Sequence, residues 1–292
     1  MVSIMITIFT PSYNRSHLLP RLYESLCRQT YKDFEWIVVD DGSTDNTKAV
    51  VDGIIAEDKI NIRYFRQENG GKHRAINQGV KEARGELFFI VDSDDWLPED
   101  ALAIVNEQWQ KVKDNPKVGG VCGLDVTPNG DVIGFGLPCD YLVCSSMDIR
   151  LKHNVTGDLK EVFRTSVLRE MPFPEYEGEK FCPEALAWNR IAQKYDLLFF
   201  NKPIYIAEYQ PGGLTANIVR VRMQSPIAST TCYQELLTHD IPLKQKVKAA
   251  INYWRFAACL PKGAAPQLPW YWRICQPIGL LMHRHDLQLL AH

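Results

Sequence analysis

The stretch GELFFIVDSDDWLP, residues 85–98, is the part of the sequence that best indicates the fold. Residues 87–91 are a continuous apolar run, which is typical of a β-strand buried on both faces. The run ends directly in DSDD, residues 92–95, so three carboxylates stand at the end of a buried strand. Because these like charges repel one another, a hard divalent cation is their natural partner. The alternative is a polar turn in which Asp94 or Asp95 caps the following helix.

The first hundred residues alternate between strand-like and helix-like patterns. The predicted strands are 3–10, 34–39, 60–65 and 87–91, and the predicted helices are 18–29, a segment ending at residue 55, and 72–83. Strands that alternate with helices of this length indicate right-handed βαβ units, and therefore an α/β fold with a parallel sheet. In such a sheet, ligands bind beyond the carboxyl ends of the strands.

The turns after these four strands carry complementary polar groups. In strand order they contain Thr10, Tyr13 and Arg15; Asp40 and Asp41; Asn69-Gly70-Gly71-Lys72-His73; and Asp92, Asp94 and Asp95. An aromatic ring that stacks, carboxylates that accept from a base or a ribose, cations and a metal-binding cluster together suit a metal-bound nucleotide diphosphate. Each part alone also has an ordinary explanation. Asp41, for example, lies in a helix-start turn with Ser43 or Thr44 as the cap.

Four segments together resemble the nucleotide-sugar-binding half of the family 2 glycosyltransferases. They are TPSYNR (10–15), VVDDGSTDNT (38–47), ENGGKHRAINQG (68–79) and GELFFIVDSDDWL (85–97). The resemblance implies a GT-A fold, which is a Rossmann-like, mainly parallel sheet with flanking helices. It also implies an inverting transferase that uses an activated sugar nucleotide and Mg²⁺ or Mn²⁺.

The same resemblance implies roles for individual residues. It places Thr10, Tyr13 and Asp41 around the uracil or other base, Arg15 and Lys72 near the nucleotide, and Asp92 and Asp94 in the metal-binding DxD, which Asp95 extends. Spacing does not decide which of the three acids ligates the metal directly. Asp94 is the first candidate because it lies centrally.

A direct inverting displacement also needs a carboxylate that takes the proton of the acceptor hydroxyl. Family 2 glycosyltransferases, which this sequence resembles, often begin a helix with a Glu-Asp pair in which the Asp lies six residues before an Arg. Here Glu184 stands six residues before Arg190, and Pro183 replaces the first acid. The resemblance therefore implies Glu184 as the general base, with Glu179 as the second candidate. A glutamate at a helix start also has a structural use, since it satisfies free amide donors and the helix dipole.

Charge is unevenly distributed along a chain whose net charge is −2. Residues 241–285 contain seven Lys or Arg and no Asp or Glu, so this segment carries +7 and the remainder −9. Interleaved tyrosines and tryptophans give the segment the composition of a surface that meets anionic lipid headgroups. Prolines interrupt its apolar runs, so it contains no span of about twenty apolar residues. The alternative is a helical cap whose aromatic side chains pack on the main domain.

The eight cysteines are scattered and contain no CxxC pair, which indicates free thiols in a reducing compartment. The N-terminus lacks a basic n-region, so its short apolar run is interpreted as a strand rather than a signal peptide. We therefore expect a cytoplasmic protein with no nucleic-acid partner. A peripheral position on the inner face of the cell membrane is a further hypothesis.

The sequence predicts a GT-A domain over residues 1–215, with a nucleotide-sugar-binding half (1–100) and an acceptor-binding half (101–215) that opens with a β-hairpin at 118–137. A helical, basic and aromatic extension is predicted over 216–292. The expected activity is transfer of a hexose or N-acetylhexosamine from a sugar nucleotide, with UDP-sugar as the favoured donor. The expected acceptor is a bacterial-type surface glycan linked to a lipid diphosphate.

Two alternatives come from other functional classes. A sugar-nucleotide-forming nucleotidyltransferase would show a glycine-rich, basic phosphate loop near its N-terminus, which TPSYNR lacks. A non-catalytic nucleotide- or glycan-binding module would lose the acid cluster or the base. Gly212-Gly213 is interpreted either as a loop that closes over the donor or as a turn.

Overall fold

The structure is a computed structural model that describes residues 4–208 and 217–290. The predicted boundary at 215 and the Gly212-Gly213 loop lie outside the described residues. The strands are β1 (Ile6–Ser12), β2 (Phe34–Asp40), β3 (Ile62–Arg66), β4 (Leu87–Ile90), β5 (Val118–Val126), β6 (Tyr141–Cys144), β7 (Leu159–Arg164) and β8 (Asp196–Ile206).

The helices flank the sheet in sequence and dominate the last part of the chain. They are α1 (Leu19–Cys27), α2 (Thr47–Ala56), α3 (Lys72–Glu82), α4 (Ala101–Gln110), α5 (Ser146–Leu151), α6 (Thr165–Glu170), α7 (Glu184–Ala192), α8 (Ile218–Gln224), α9 (Pro226–Thr238), α10 (Leu243–Ala257) and α11 (Gln276–Leu290). A 3₁₀ helix, Trp270–Cys275, leads directly into α11. The predicted helical character of the C-terminal segment is therefore confirmed.

The eight strands form one mixed, mostly parallel sheet in the order β3-β2-β1-β4-β7-β5-β8-β6. The pairs β1–β2, β1–β4, β2–β3 and β5–β8 are parallel, whereas β7 and β6 pair antiparallel with their neighbours. The α/β fold class predicted from the sequence is confirmed. The chain leaves β1 on one side for β2 and reaches β4 on the other, so the topological switch point lies between β1 and β4. In open α/β sheets, ligands generally bind at such a point.

Strands β2 and β4 are part of the hydrophobic core. Every residue of both strands is buried, as a strand covered by helices on both faces requires. Glu35, a fully buried acid near the start of β2, has three hydrogen-bond donors: Thr7 Oγ1 at 2.8 Å, Arg84 N at 2.7 Å and Arg63 NH1 at 3.2 Å. A buried charge with these partners costs far less than an isolated one.

The predicted hairpin at 118–137 is largely wrong. A short turn does connect Asp125 to Ile133, whose N–H donates to the Asp125 carbonyl at 2.9 Å, and Val126 bridges Val132. However, β5 finds its strand partners in β7 and β8 rather than in the residues that follow it. Local apolar pattern predicts a strand correctly but does not identify its partner.

The chain divides into two compact units. Among the described residues, the first unit contains 4–70, 74–172 and 190–208, and the second contains 71–73, 173–189 and 217–290. All eight cysteines lie in described segments and are free thiols. Across 4–208 and 217–290, no helix is both long and apolar enough to cross a bilayer.

Candidate functional site

In the first unit, the carboxyl ends of β1, β2 and β4 lie side by side. Ser12 at the end of β1 is in register with Asp40 at the end of β2, and Phe9 is in register with Ile90 of β4. The polar turns that follow these strands therefore begin at the same edge of the sheet. This is the location that the sequence predicts for them.

Asn14 ties the turn after β1 to the turn after β2. Its side-chain oxygen accepts from Thr44 N at 2.8 Å and Asp45 N at 3.3 Å, and its backbone N–H donates to Ser43 Oγ at 2.9 Å. Asn14 has a φ of 53°, a left-handed conformation that asparagine tolerates better than most residues. The turn geometry is thus fixed by a residue within the TPSYNR motif.

Asp41 ties the turn after β2 to the loop after β3. It is 4% exposed, and its Oδ1 accepts from Gln67 Nε2 at 2.7 Å and from Gly70 N at 2.9 Å. Gly42, with a φ of 80°, allows this close approach, since a Cβ there would lie 2.8 Å from Asn69 N. The carboxylate predicted to contact the base therefore also holds the loop in place.

Asp94 is held by two arginines of the first unit. Arg15 NH1 donates to Asp94 Oδ2 in an ion pair that is only partly exposed, and Arg21 NH2 donates to the Asp94 carbonyl at 2.5 Å. Arg21 also stacks on Trp96, with its guanidinium carbon 3.9 Å from the ring centroid, and pairs with Glu208 at 2.7 Å. The predicted residues Arg15 and Asp94 are thus brought together.

Asp95 points into the protein interior, unlike Asp94. Its Oδ2 accepts from Tyr205 Oη at 2.6 Å and its Oδ1 accepts from Glu208 N at 2.9 Å. Burial raises the pKa of Asp95 from 3.8 to about 6, against the lowering effect of the Tyr205 bond. The Tyr205 hydroxyl in turn accepts from Asp92 N at 3.0 Å. Asp95 and Tyr205 therefore fix the backbone of the acidic turn.

The three aspartates do not converge. Within residues 4–208 and 217–290, no group of three or more His, Cys, Asp or Glu side chains is arranged to hold a metal ion. Asp92 and Asp94 are partly exposed, whereas Asp95 is buried. Two carboxylates still fit Mg²⁺ or Mn²⁺, because such ions commonly take one or two protein carboxylates and complete their shell with substrate phosphates and water.

Thr10 and Tyr13, both predicted near the base, lie in different environments. Thr10 is fully buried and its hydroxyl accepts from Trp36 Nε1 at 3.0 Å, so it packs inside the sheet and presents no surface to a ligand. Its contact with the base stays a prediction. Tyr13 is 49% exposed, and its ring has a free area for stacking.

In the second unit, two other predicted residues form an ion pair. Lys72 Nζ lies 2.8 Å from Glu184 Oε1, and their side chains are 32% and 43% exposed. Lys72 opens α3 and Glu184 opens α7. Gly71, with a φ of 96°, packs so closely that a Cβ would lie 1.8 Å from the Lys180 carbonyl oxygen. The Glu184 carboxylate is therefore accessible and held by a lysine.

Glu179, also in the second unit, has a structural position. Its two oxygens accept from Ile227 N at 2.6 Å and Ala228 N at 2.8 Å, at the start of α9. Burial raises the pKa of Glu179, and the two amide bonds act in the opposite direction. This is the capping role that the sequence offered as the alternative for Glu184.

The sequence reasoning missed Arg21, Tyr205 and Glu208. Tyr205 lies 110 residues from the aspartate it contacts, and an isolated antiparallel bridge between Trp96 and Ile206 brings the two segments together. No local pattern links such distant residues. Arg21 had a weak signal, since it is a cation on the helix that follows the first motif.

Comparison with known proteins begins with the family. The sequence model of glycosyl transferase family 2 matches residues 7–130. The chain is 27% identical to the glycosyltransferase GlyG of Streptococcus pneumoniae, over 73% of each chain. It is 32% identical to the GalNAc(5)-diNAcBac-PP-undecaprenol beta-1,3-glucosyltransferase of Campylobacter jejuni, over 63% of this chain and 58% of that one.

Solved structures agree on the fold. S. aureus TarS 1-349 in complex with UDP-GlcNAc superposes with a TM-score of 0.62 at 20% identity, covering 94% of this chain and 79% of TarS. The mannosyltransferase PcManGT of Pyrobaculum calidifontis, in complex with GDP-Man and Mn²⁺, gives a TM-score of 0.59 at 19% identity, covering 99% and 88%. At these identities the likeness concerns the fold, and it agrees with the predicted GT-A architecture.

Proposed function

Because this chain belongs, through residues 7–130, to glycosyl transferase family 2, we propose that it is an inverting glycosyltransferase. It transfers a hexose or N-acetylhexosamine from a nucleoside diphosphate sugar, preferably a UDP-sugar, to a surface-glycan acceptor linked to a lipid diphosphate. The UDP-sugar donor is supported by the fold shared with TarS, which was crystallised with UDP-GlcNAc. The lipid-linked acceptor is supported by the Campylobacter relative, whose name specifies a PP-undecaprenol-linked substrate.

The observation that carries the proposal is the set of bonds that joins all four turns of the first unit. Asn14 joins the first turn to the second, Asp41 joins the second to the third, and Arg15 joins the first to Asp94 in the fourth. Tyr13 supplies the exposed ring on which a base stacks. Asp41 positions the loop that follows β3.

Asp94 is proposed as the first ligand of Mg²⁺ or Mn²⁺, and Asp92 as the second. Both are hard oxygen donors on a turn whose backbone Asp95 and Tyr205 fix, and Arg15 orients the Asp94 carboxylate. When bound, the ion neutralises charge that develops on the departing nucleoside diphosphate. Asp95 has both oxygens engaged, so we assign it to positioning rather than ligation.

Glu184 is the proposed base. It takes the proton of the acceptor hydroxyl as the new glycosidic bond forms and the nucleoside diphosphate leaves. Its carboxylate is accessible, and Lys72 holds it in one orientation. Glu179 is less suited, because both its oxygens already bind the first amides of α9.

The proposal is tested by measuring nucleoside diphosphate release from a panel of UDP- and GDP-sugars by the full chain, with a lipid-diphosphate glycan as acceptor. We expect one preferred donor and an inverted anomeric configuration in the product by NMR. Glu184→Gln should lower kcat by about a hundredfold or more with an unchanged Tm. Glu179→Gln, the matched control, should lower Tm and spare kcat.

Three results would contradict the proposal in different ways. Pyrophosphate release would indicate a nucleotidyltransferase. Donor binding without turnover under all conditions would indicate a binding module. Full turnover by Glu184→Gln would refute the assignment of the base.

A further inference from the structure

The last helix of the second unit presents its apolar side outward. Ile274 is 81% exposed, Ile278 52% and Leu281 68%, whereas the buried positions of α11 are Gly279 and Asp286. Ile278 and Leu281, three residues apart, lie on one face of α11. Ile274 lies in the 3₁₀ helix that leads directly into α11. Trp270, 80% exposed, lies at the start of the same segment. We call these four residues the outer face.

This orientation is fixed by specific contacts with α10. Arg255 binds Asp286 through two bonds, Nε to Oδ2 at 2.5 Å and NH2 to Oδ1 at 2.6 Å. At Gly279, a Cβ would lie 2.6 Å from the Ile251 carbonyl oxygen, so the close approach of α11 to α10 at this point requires glycine. Rotating α11 to bury its leucines would break the ion pair and open the close contact. The exposed apolar face is therefore a property of the packing.

A further bond fixes the 3₁₀ helix. Trp254 Nε1 of α10 donates to the Trp272 carbonyl at 2.9 Å, and Cys275 is buried in the small core of this unit. Trp270 and Tyr271 remain exposed on the outside. An amphipathic aromatic pair at the end of an apolar face is typical of side chains at the boundary between lipid and water.

The charges around the outer face are positive. Arg273 and Arg284 are both exposed and flank the outer face in sequence, the first next to Ile274 and the second three residues after Leu281. The acid of α11, Asp286, is neutralised internally by Arg255, and residues 241–285 contain no Asp or Glu. An apolar face with a cationic border complements an anionic lipid surface. A symmetric contact between two copies would instead bring these arginines together.

We propose that the outer face docks on an anionic phospholipid bilayer, with Trp270, Ile274, Ile278 and Leu281 in the interfacial layer and the two arginines on the headgroups. The inference deepens the proposed function, since it rests on an acceptor held in the membrane. Docking itself needs no turnover, so vesicle binding and transfer activity are tested separately.

The test is flotation of the full chain with vesicles of phosphatidylcholine, alone or mixed with phosphatidylglycerol. The wild type should bind the mixed vesicles, and salt should weaken this binding. The double variant Ile278→Asp/Leu281→Asp should bind about tenfold or more weakly. Arg273→Gln/Arg284→Gln should lose the preference for phosphatidylglycerol.

Phe135→Asp is the matched control, because Phe135 is an apolar residue of the first unit that is 91% exposed. It should bind vesicles like the wild type. All variants should retain their Tm and their turnover on a water-soluble acceptor analogue.

Equal binding by wild type and Ile278→Asp/Leu281→Asp would overturn the docking surface. The docking surface would also be overturned if the wild type did not bind vesicles but formed a dimer in light scattering, and if Ile278→Asp/Leu281→Asp dissociated that dimer. Salt-insensitive binding to both kinds of vesicle would overturn the role of the arginines. Absence of turnover with normal vesicle binding would refute the proposed reaction and leave the docking surface standing.

Discussion

Strand β4 and helix α11 place apolar and charged residues in opposite ways. All four residues of β4 are buried, and the acids that follow it lie at the edge of the sheet. In α11 the acid Asp286 is buried, while Ile278 and Leu281 are exposed. In β4 the apolar side chains are shielded from water by the protein itself, whereas in α11 apolar surface stays exposed and available to a partner. The comparison separates partly exposed charges, which we propose bind a ligand, from a buried charge that serves packing.

The largest expected effect is the loss of turnover when a negative charge at the sheet edge is removed. Asp94→Asn should lower kcat by about a hundredfold or more, because it removes the carboxylate assigned to the divalent ion. Its ion pair with Arg15 is partly exposed and contributes little to stability, so Tm should stay nearly constant. Initial rates in Mg²⁺ and Mn²⁺, together with thermal unfolding, measure both quantities.

Asp100→Asn is the control for that substitution, since Asp100 is an exposed acid a few residues further along. It should leave both kcat and Tm unchanged. A large fall in Tm without loss of turnover in Asp94→Asn would reverse the assignment and make this edge structural.

A smaller effect, on stability, is expected in α11. Asp286→Asn leaves Arg255 without a counter-charge, and the two side chains are only 6% and 15% exposed. The loss should be about 3 kcal/mol. Chemical denaturation measures it, with the exposed Asp240→Asn as the control. Turnover on a soluble acceptor should persist below the lowered Tm. An unchanged stability would mean that the buried pair does not fix α11.

The smallest effect concerns a buried acid that leaves one carboxylate oxygen without a hydrogen bond among the described residues. Within the described part of the chain, Asp125 Oδ1 has no hydrogen-bond partner, and burial raises the pKa of Asp125 from 3.8 to about 7. The folded state therefore holds this proton more tightly than the unfolded state. The resulting stability is present below pH 3.8 and is lost as the pH rises towards 7.

Asp125→Asn should remove this pH dependence. Relative to the wild type, the variant should gain about 2.5 kcal/mol between pH 5 and pH 8. Denaturation at both pH values measures the gain. Parallel pH profiles for the two proteins would show that Asp125 keeps its ordinary pKa in the fold.

The sequence predicted the first half of the fold well because that half is built from local signals. The apolar runs of β1 to β4 and the helices between them are nearly continuous, and their order alone implies a parallel sheet. The Lys72–Glu184 ion pair joins two residues that the sequence had singled out separately. Their proposed roles in nucleotide binding and catalysis remain predictions.

The remainder depended on long-range contacts that no local pattern specifies. Tyr205 reaches Asp95 only because Trp96 bridges Ile206, and β5 pairs with β7 and β8 instead of folding back as a hairpin. Glu179 looks like a catalytic candidate by type, yet the start of α9 takes both its oxygens. Burial and partner choice, which are tertiary properties, decided these cases.

Asn14, Asp41 and Arg15 have a kinetic consequence through the bonds that they make between turns. Since the turns are already joined before any donor arrives, little conformational entropy remains to be lost on association. Donor capture should then proceed as a single fast step governed by diffusion and orientation, and differences in affinity among sugar nucleotides should appear in their residence times.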